Sequence, residues 1–306
     1  MKNNLKYYII KALNEGFALG AINFNNMETL QGIVNACMKE NSPAIISVSE
    51  GALNYMGDNY VIALANAAKK EFPYLFLHLD HGKSFDICKH AVDLGFDSVM
   101  IDGSSLSFEE NIKLTKEVCE YAHKYNVLVE GELGQIKGIE DNVSVNEHIY
   151  TDPNKAKEFV DKTSVDTLAV AIGTSHGAYK YKGKQELKFD ILEKIEEQLP
   201  NFPLVLHGAS TIEPQIVEKF NQFGGSLKNA IGIPKQLLQE AVTKHNIIKI
   251  NTDTDVRLSM TSEVRKILKE NPNEFDLRKY LGAGRNLVTE TISKKINEIF
   301  MSKDKI

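Results

Sequence analysis

The chain has 306 residues, 42% of them hydrophobic and 25% charged, with a formal net charge of -5. That length can bury a large core, while scattered lysines and arginines under a net negative balance exclude the basic footprint of a nucleic-acid binder. No apolar run reaches membrane-spanning length, and the opening stretch MKNNLKYYIIKALNEG lacks the h-region and cleavage site of a signal peptide.

In chain order, short apolar and β-branched runs recur: FALGAINF (17–24), PAIISVSE (43–50), LFLHLDHG (75–82), DSVMIDGS (97–104), VLVEGELG (127–134), TLAVAIGT (167–174), PLVLHGAS (203–210) and IIKINTDT (247–254). Near-continuous apolar runs suit parallel strands buried on both faces. Amphipathic stretches such as DNYVIALANAAKKEF and FEENIKLTKEVCEYAHKY lie between them, giving repeated βαβ units. Eight such strands predict an α/β fold of the closed (β/α)8 barrel type. The competing doubly wound sheet needs a phosphate turn after its first strand, and GAINFNNMET is not GxGxxG. Two further helical segments follow, roughly 255–270 and 285–301, the latter with an apolar stripe of Leu287, Val288, Ile292, Ile296 and Ile299. That stripe predicts packing on the barrel or a dimer contact. No Pro/Gly/Ser linker interrupts the chain, so a single barrel domain over 1–306 is expected, the C-terminal helices included. Cys37, Cys88 and Cys119 sit apart from each other and from any CxxC, which predicts reduced thiols and a cytoplasmic setting.

Most of the predicted strands finish on polar residues: Asn23, Ser49, Asp80 with His81, Asp102, Glu132, His207, and Asn251 with Asp253, while His176 falls just past strand six. In a barrel these C-terminal ends share one face, where active sites are built. One histidine at a strand end is an ordinary polar residue, but His81, His176 and His207 converging suit a Zn²⁺ site with an open fourth position. His78 shares the face of Asp80 one layer deeper and reads as an inner-barrel polar residue. His90, His123, His148 and His245 read as surface histidines. Asp80, beside His81, can reach a metal-bound substrate without being a ligand. Asp102 and Glu132 read either as carboxylates that orient the histidines or as a second metal position. Glu140 lies in the Gly-punctuated stretch GQIKGIEDN, expected to be a loop; spacing alone favours a solvated charge there. HGAS (207–210) and NTDT (251–254) follow strands seven and eight, the common phosphate position in such barrels. Gly208, Ser210 and the helix-opening Thr254 could hold an anion, with GGSLKN (224–229) close behind and Lys180 and Arg257 as cationic partners.

The segments LHLDHG, IDGSSLSFEENI, VEGELGQIKGIEDN, AVAIGTSHGAYKYKG, PLVLHGAS and KINTDTD, in this order and spacing, resemble the motif series of class II, zinc-dependent fructose-1,6-bisphosphate aldolases. The resemblance implies a (β/α)8 barrel, a catalytic zinc, a homodimer or homotetramer, and a sugar bisphosphate substrate of glycolysis and gluconeogenesis. Carried over by motif, His81, His176 and His207 resemble the zinc ligands, and Asp102 and Glu132 the acids of an alternate metal position. Asp80 resembles the acid/base at the C4 oxygen, and Glu140 the glutamate that moves the proton at C3 of dihydroxyacetone phosphate. Asn23, Ser49, Gly177, Lys180, Gly208, Ala209, Ser210, Asn251, Thr252, Asp253 and Thr254 fall at substrate-binding positions. Gly177 and the 208–210 loop also fit a monovalent-cation site, for Na⁺ or K⁺, beside the phosphate.

The chemistry asks for these groups. Retro-aldol cleavage leaves an enediolate, whose charge a Lewis-acidic metal can hold. One group must take the C4 hydroxyl proton, another must protonate the enediolate, and Asn251 could hydrogen-bond its oxygen. A Schiff-base route would need a lysine pointing into the barrel from a strand end, and the strand ends carry Asp, His, Glu and Asn, with Lys83 and Lys180 beyond them. NTDTDVR, with Asp253 and Arg257, resembles fructose-type rather than tagatose-type enzymes and makes Arg257 a candidate for the 6-phosphate. Three departures stand out: Ser105 where relatives often have histidine, Thr211 where they have glycine, and Gly131 where they have alanine. A barrel metallohydrolase would have little need of the phosphate loops. A non-catalytic sugar-phosphate binder should have lost one of Asp80, His81, His176, His207 or Glu140, and all are present.

Overall fold

The computed structural model describes residues 4–140, 143–145, 149–177, 186–228 and 230–306, so that Lys180, His148 and Asn229 lie outside the described residues. Eight parallel strands, Leu19–Asn23, Ala44–Ser49, Leu75–Gly82, Ser98–Ile101, Leu128–Leu133, Thr167–Val170, Leu204–Leu206 and Ile247–Thr252, close into a barrel. Each pairs with its chain neighbours, and strand one closes the ring by pairing with strand eight, Ala21 opposite Asn251. At the mouth, Asn23, Ser49, Asp80 with His81, Glu132 and Asn251 are still within their strands, while Asp102, His207 and Asp253 fall just beyond theirs.

Helices between the strands start on local signals. Asn26 accepts from Thr29 N–H while Thr29 Oγ1 answers the cap, opening the helix Met27–Glu40. Ser107 and Glu110 form the same reciprocal box ahead of Phe108–Ala122. The barrel floor is closed by the helix Leu5–Glu15, which lays Leu5, Tyr8, Ile9 and Ala12 against Leu19, Ile45 and Phe76. The rings of Tyr8 and Phe76 lie 5.6 Å apart.

The C-terminal helices run Thr254–Glu270 and Leu277–Lys295. The second begins earlier than the sequence pattern indicates, because Asp276 caps it by accepting from Arg278 N–H at 3.0 Å, and it ends in a π-helical turn, Ile296–Phe300. Val288, Ile292, Ile296 and Ile299 of the apolar stripe are buried, and Leu287 is half-buried. The helix packs along Met27–Glu40, and the Phe300 carbonyl accepts from Ala18 N–H at 2.8 Å, so the stripe lies on the barrel.

One expectation is corrected. The stretch expected as a loop around Glu140 contains a strand, Lys137–Glu140, antiparallel to Val143–Val145 and parallel to Ser175–His176. Its backbone groups find partners in a small sheet over the mouth, with Gly138 opposite His176.

Candidate active site

Successive residues of a strand point to opposite faces, so Asp80 and His81 in a regular strand could not both look inward. Here the pairing of strands three and four shifts register between Leu79 and Gly82, and His81 adopts φ 51. That left-handed conformation is uncommon outside glycine. The bulge inserts one residue and turns both side chains to the same space.

Asp80 is buried and held by two amides: Asn23 Nδ2 donates to Oδ2 at 2.8 Å and Asn251 Nδ2 to Oδ1 at 2.9 Å. His81 Nδ1 lies 3.0 Å from Asp102 Oδ2 and 3.7 Å from Glu132 Oε2. Its ring meets that of His207 edge-on, centroids 4.5 Å apart. Asp102 also takes Lys83 Nζ, and Ser104 donates its N–H and Oγ–H to Oδ1 at 3.0 and 2.6 Å. Burial pushes the Asp102 carboxyl up, but His81 and Lys83 outweigh it and hold the group well below the usual carboxylate range. The exposed Ser105 stands aside, and the neighbouring Ser104 steadies the carboxylate instead.

His207 reaches the same space from strand seven, its Nδ1 3.9 Å from Asp80 Oδ1. Its Nε2 lies 2.7 Å from Glu130 Oε1, a residue the sequence reading passed over. Glu130 in turn binds Lys249 Nζ at 2.9 and 3.1 Å, both side chains almost fully buried. Lys249 also points into the barrel, from mid-strand one layer below Asn251, with its ammonium engaged by Glu130. Its Nζ is 3.4 Å from His78 Nε2, and His78 Nδ1 lies 2.8 Å from Ser98 Oγ. Ammonium only donates, so His78 Nε2 accepts and Nδ1–H donates to Ser98. Burial, with the Lys249 charge, lowers the His78 pKa to about 3, so its ring is neutral. Burial and His81 likewise pull the His207 pKa down. Burial raises Glu130, but Lys249 and His207 more than reverse it and keep it ionised.

The remaining histidines are elsewhere. His90 and His123 are exposed partners of Asp58 and Asp166. His245 is not on the surface as expected: its side chain is largely buried, stacked on Phe189 and 2.9 Å from Glu196, because it closes the turn into strand eight.

Among the described residues, two sets of donors could hold a metal, Asp80–His81–His207 and His81–Asp102–Glu132, the atoms of each set within 4.8 Å of one another. Buried imidazoles with carboxylates match the donor preference of zinc. With Nδ1 of His81 on Asp102 and Nε2 of His207 on Glu130, Nε2 of His81 and Nδ1 of His207 are the nitrogens that would face the ion. His176 ends the short strand Ser175–His176, and Glu140 ends Lys137–Glu140; the side chains of both lie outside the described residues.

At the rim, Ser49 pairs across from Asp80, and its Oγ caps the helix Glu50–Met56 by accepting from Ala52 N–H at 3.2 Å. Gly177 and Gly208 have φ 84 and 60. Ala209, Ser210 and Thr252 are buried at the ends of strands seven and eight. Asp253 precedes the helix that Thr254 opens and accepts from Arg257 Nε at 2.8 Å. The Oδ1 atoms of Asn23 and Asn251 are buried without a hydrogen-bond partner among the described residues, two acceptors beside Asp80. The mouth thus combines donor sets that could hold a metal, a carboxylate held by two amides, and the loops after strands seven and eight.

The family model described as fructose-bisphosphate aldolase class-II matches residues 3–305. A fructose-bisphosphate aldolase of Helicobacter pylori (strain ATCC 700392 / 26695) is 44% identical over 302 residues, covering 97% of each chain. One from Thermus caldophilus is 46% identical over 297 residues, covering 95% of each. Among solved structures, the YdjI aldolase of Escherichia coli K12 superposes with a TM-score of 0.78 at 30% identity, over 100% of this chain and 99% of that one. With the barrel and its mouth, these matches show that the chain belongs to the class II fructose-bisphosphate aldolase family.

Proposed function

We propose that the chain cleaves fructose 1,6-bisphosphate reversibly to dihydroxyacetone phosphate and glyceraldehyde 3-phosphate, with His81, His176 and His207 holding a catalytic zinc. The observation that carries this reading is the bulge in strand three, which sets an amide-oriented carboxylate beside two buried imidazoles. When bound, zinc supplies Lewis acidity towards the C2 carbonyl and the charge that develops on it. Asp80 removes the C4 hydroxyl proton, aimed by Asn23 and Asn251. Glu140 returns a proton at C3. Asn251 has a second N–H for the enediolate oxygen, and its Oδ1 accepts a substrate hydroxyl. Asp102 and Glu132 orient His81 and offer an alternate metal position.

Ser49, Gly177, Lys180 and the Gly208–Ser210 loop bind one end of the substrate, with Thr252, Asp253 and Thr254 opposite. Arg257, tied to Asp253, stands at the rim for the distal phosphate, and this pairing favours the fructose over the tagatose ester. The reading extends to a monovalent cation beside the phosphate loop and to a homodimer or homotetramer, both supported by the family resemblance. It places the enzyme in the cytoplasm, consistent with three buried, unbridged cysteines. No helix among the described residues is long and apolar enough to cross a membrane.

The test is incubation with fructose 1,6-bisphosphate and measurement of triose phosphate release, with and without a chelator. Zinc-dependent release is expected. No release from zinc-loaded protein would sink the proposal, and chelator-resistant release trapped by borohydride would move the chemistry to a Schiff base.

A further inference from the structure

The loop after strand seven carries more constraint than a phosphate loop needs for its own closure. At its near end Gly208 has φ 60, and a Cβ there would lie 2.7 Å from the Ser175 backbone carbon. At its far end Ile212 has φ 48, a conformation that β-branched residues rarely adopt. Something outside the loop must hold that end.

Asp255, in the first turn of the helix after strand eight, supplies the grip. Its Oδ1 accepts from Ile212 N–H at 2.7 Å and its Oδ2 from Thr211 N–H at 3.1 Å. Lys295, from the last turn of the helix Leu277–Lys295, places Nζ 2.8 Å from Asp255 Oδ2 and 2.8 Å from Thr211 Oγ1. Both charged side chains are almost fully buried, at 0% and 4% exposure for Asp255 and Lys295. From behind, Ile233 N–H donates to the Ser210 carbonyl at 3.1 Å, and Gly232 sits so close to Thr211 that a Cβ would overlap it. The Thr211 hydroxyl is the atom through which Lys295 touches the loop.

We infer that Asp255 and Lys295, through Thr211, form a clamp that pre-sets the Gly208–Ser210 loop for a substrate phosphate, an inference that rests on the phosphate reading of that loop. The clamp acts in two ways. It fixes the far end of the loop, so that ordering it is not charged against binding. It also neutralises a carboxylate that would otherwise oppose an anion at the adjoining helix N-terminus. Asp255, Lys295 and Thr211 are positioning residues and need not touch substrate.

The experiment compares zinc-loaded wild type with Lys295→Met, Lys295→Arg, Thr211→Val and Ser210→Ala. It reads kcat and KM for fructose 1,6-bisphosphate, competitive inhibition by inorganic phosphate, and amide hydrogen exchange at residues 209–212. Lys295→Met should raise KM and the phosphate inhibition constant by about 10-fold or more, the loss expected for a charged hydrogen bond. Thr211→Val should raise both by about 3-fold, as for a neutral one. kcat should stay within about twofold, Lys295→Arg should recover most of the loss, and exchange at Thr211 and Ile212 should quicken. Should Lys295→Met fail to fold, Thr211→Val decides. If the clamp variants leave phosphate inhibition unchanged while Ser210→Ala weakens it, the clamp is refuted and the loop reading stands. If Ser210→Ala is also without effect, the loop is not the phosphate site and both fall. A kcat that drops in step with the rise in KM also overturns the inference, because the residues would then support the whole site.

Discussion

Glu130→Gln tests the buried network beneath the site, because it removes one charge with two dependents. Lys249 Nζ lies 2.9 and 3.1 Å from the two Glu130 oxygens, both side chains 3% exposed. Removing one partner of such a pair leaves the other charge buried alone, which costs about 3–5 kcal/mol. The metal-free protein should lose that much unfolding free energy. Adding Lys249→Met should restore much of it, since the uncompensated buried ammonium is then gone. The second dependent is His207, whose Nε2 is 2.7 Å from Glu130. A carboxylate that holds a ligand histidine is worth about 10- to 100-fold in metal affinity, or about 1.4–2.8 kcal/mol. This loss should persist in the double variant, where His207 faces a neutral amide oxygen in place of the carboxylate. Urea unfolding of chelator-treated protein reads the first term, and zinc competition against a chromophoric chelator reads the second. The reasoning is wrong if the double variant is no more stable than Glu130→Gln, or if Glu130→Gln binds zinc within about twofold of wild type.

Asp80→Ala should keep zinc and lose about 10²- to 10⁴-fold in kcat, measured by triose phosphate release; loss of zinc instead would make Asp80 a ligand. Chelation should abolish turnover and lower the melting temperature, and zinc at about 1,000 times its Kd should return about 4 kcal/mol; an unchanged melting curve would argue against a resident metal. Gly208→Ala meets both a positive φ and the Ser175 backbone, so it should raise KM sharply, and unaltered kinetics would free the loop from that constraint. His78 contributes a pH dependence. Its folded value of about 3 lies below the ordinary 6.5, so the neutral ring favours the folded state fully above about 6.5, and the advantage falls away as pH drops towards 3. In chelated protein the slope should reach at most about 1.4 kcal/mol per pH unit. His78→Gln should flatten the stability profile between pH 6.5 and 4; identical slopes would contradict the assignment.

The barrel was legible because parallel strands buried on both faces read as apolar runs, and the mouth because those runs end on Asp, His, Glu and Asn. Of the inner network only His78 was legible, as an inner-barrel polar residue, although the mark of the rest was present. His78 with Asp80, Glu130 with Glu132, and Lys249 with Asn251 are each two residues apart, so each pair shares a face. The polar layer that forms the site therefore has a polar layer beneath it, in which Lys249 faces inward below the strand end. The strand at Lys137–Glu140 was hidden by its glycine and by partners far away in sequence, Ser175 and His176. The bulge at His81 leaves no trace in residue type, because it exists only in the register against strand four.

That bulge determines what kind of tolerance the site has. The distances from His81 to His207 and Glu132 span the barrel and depend on how eight strands pack, so they widen or narrow as the barrel breathes. Asp80 and His81 are joined by one peptide unit, whose Cα–Cα span of about 3.8 Å is a covalent constant. The separation of Asp80 and His81 is thus insulated from thermal drift in the tertiary structure, and, under the proposed roles, core substitutions that shift whole strands should degrade metal binding before they misplace the proton transfer.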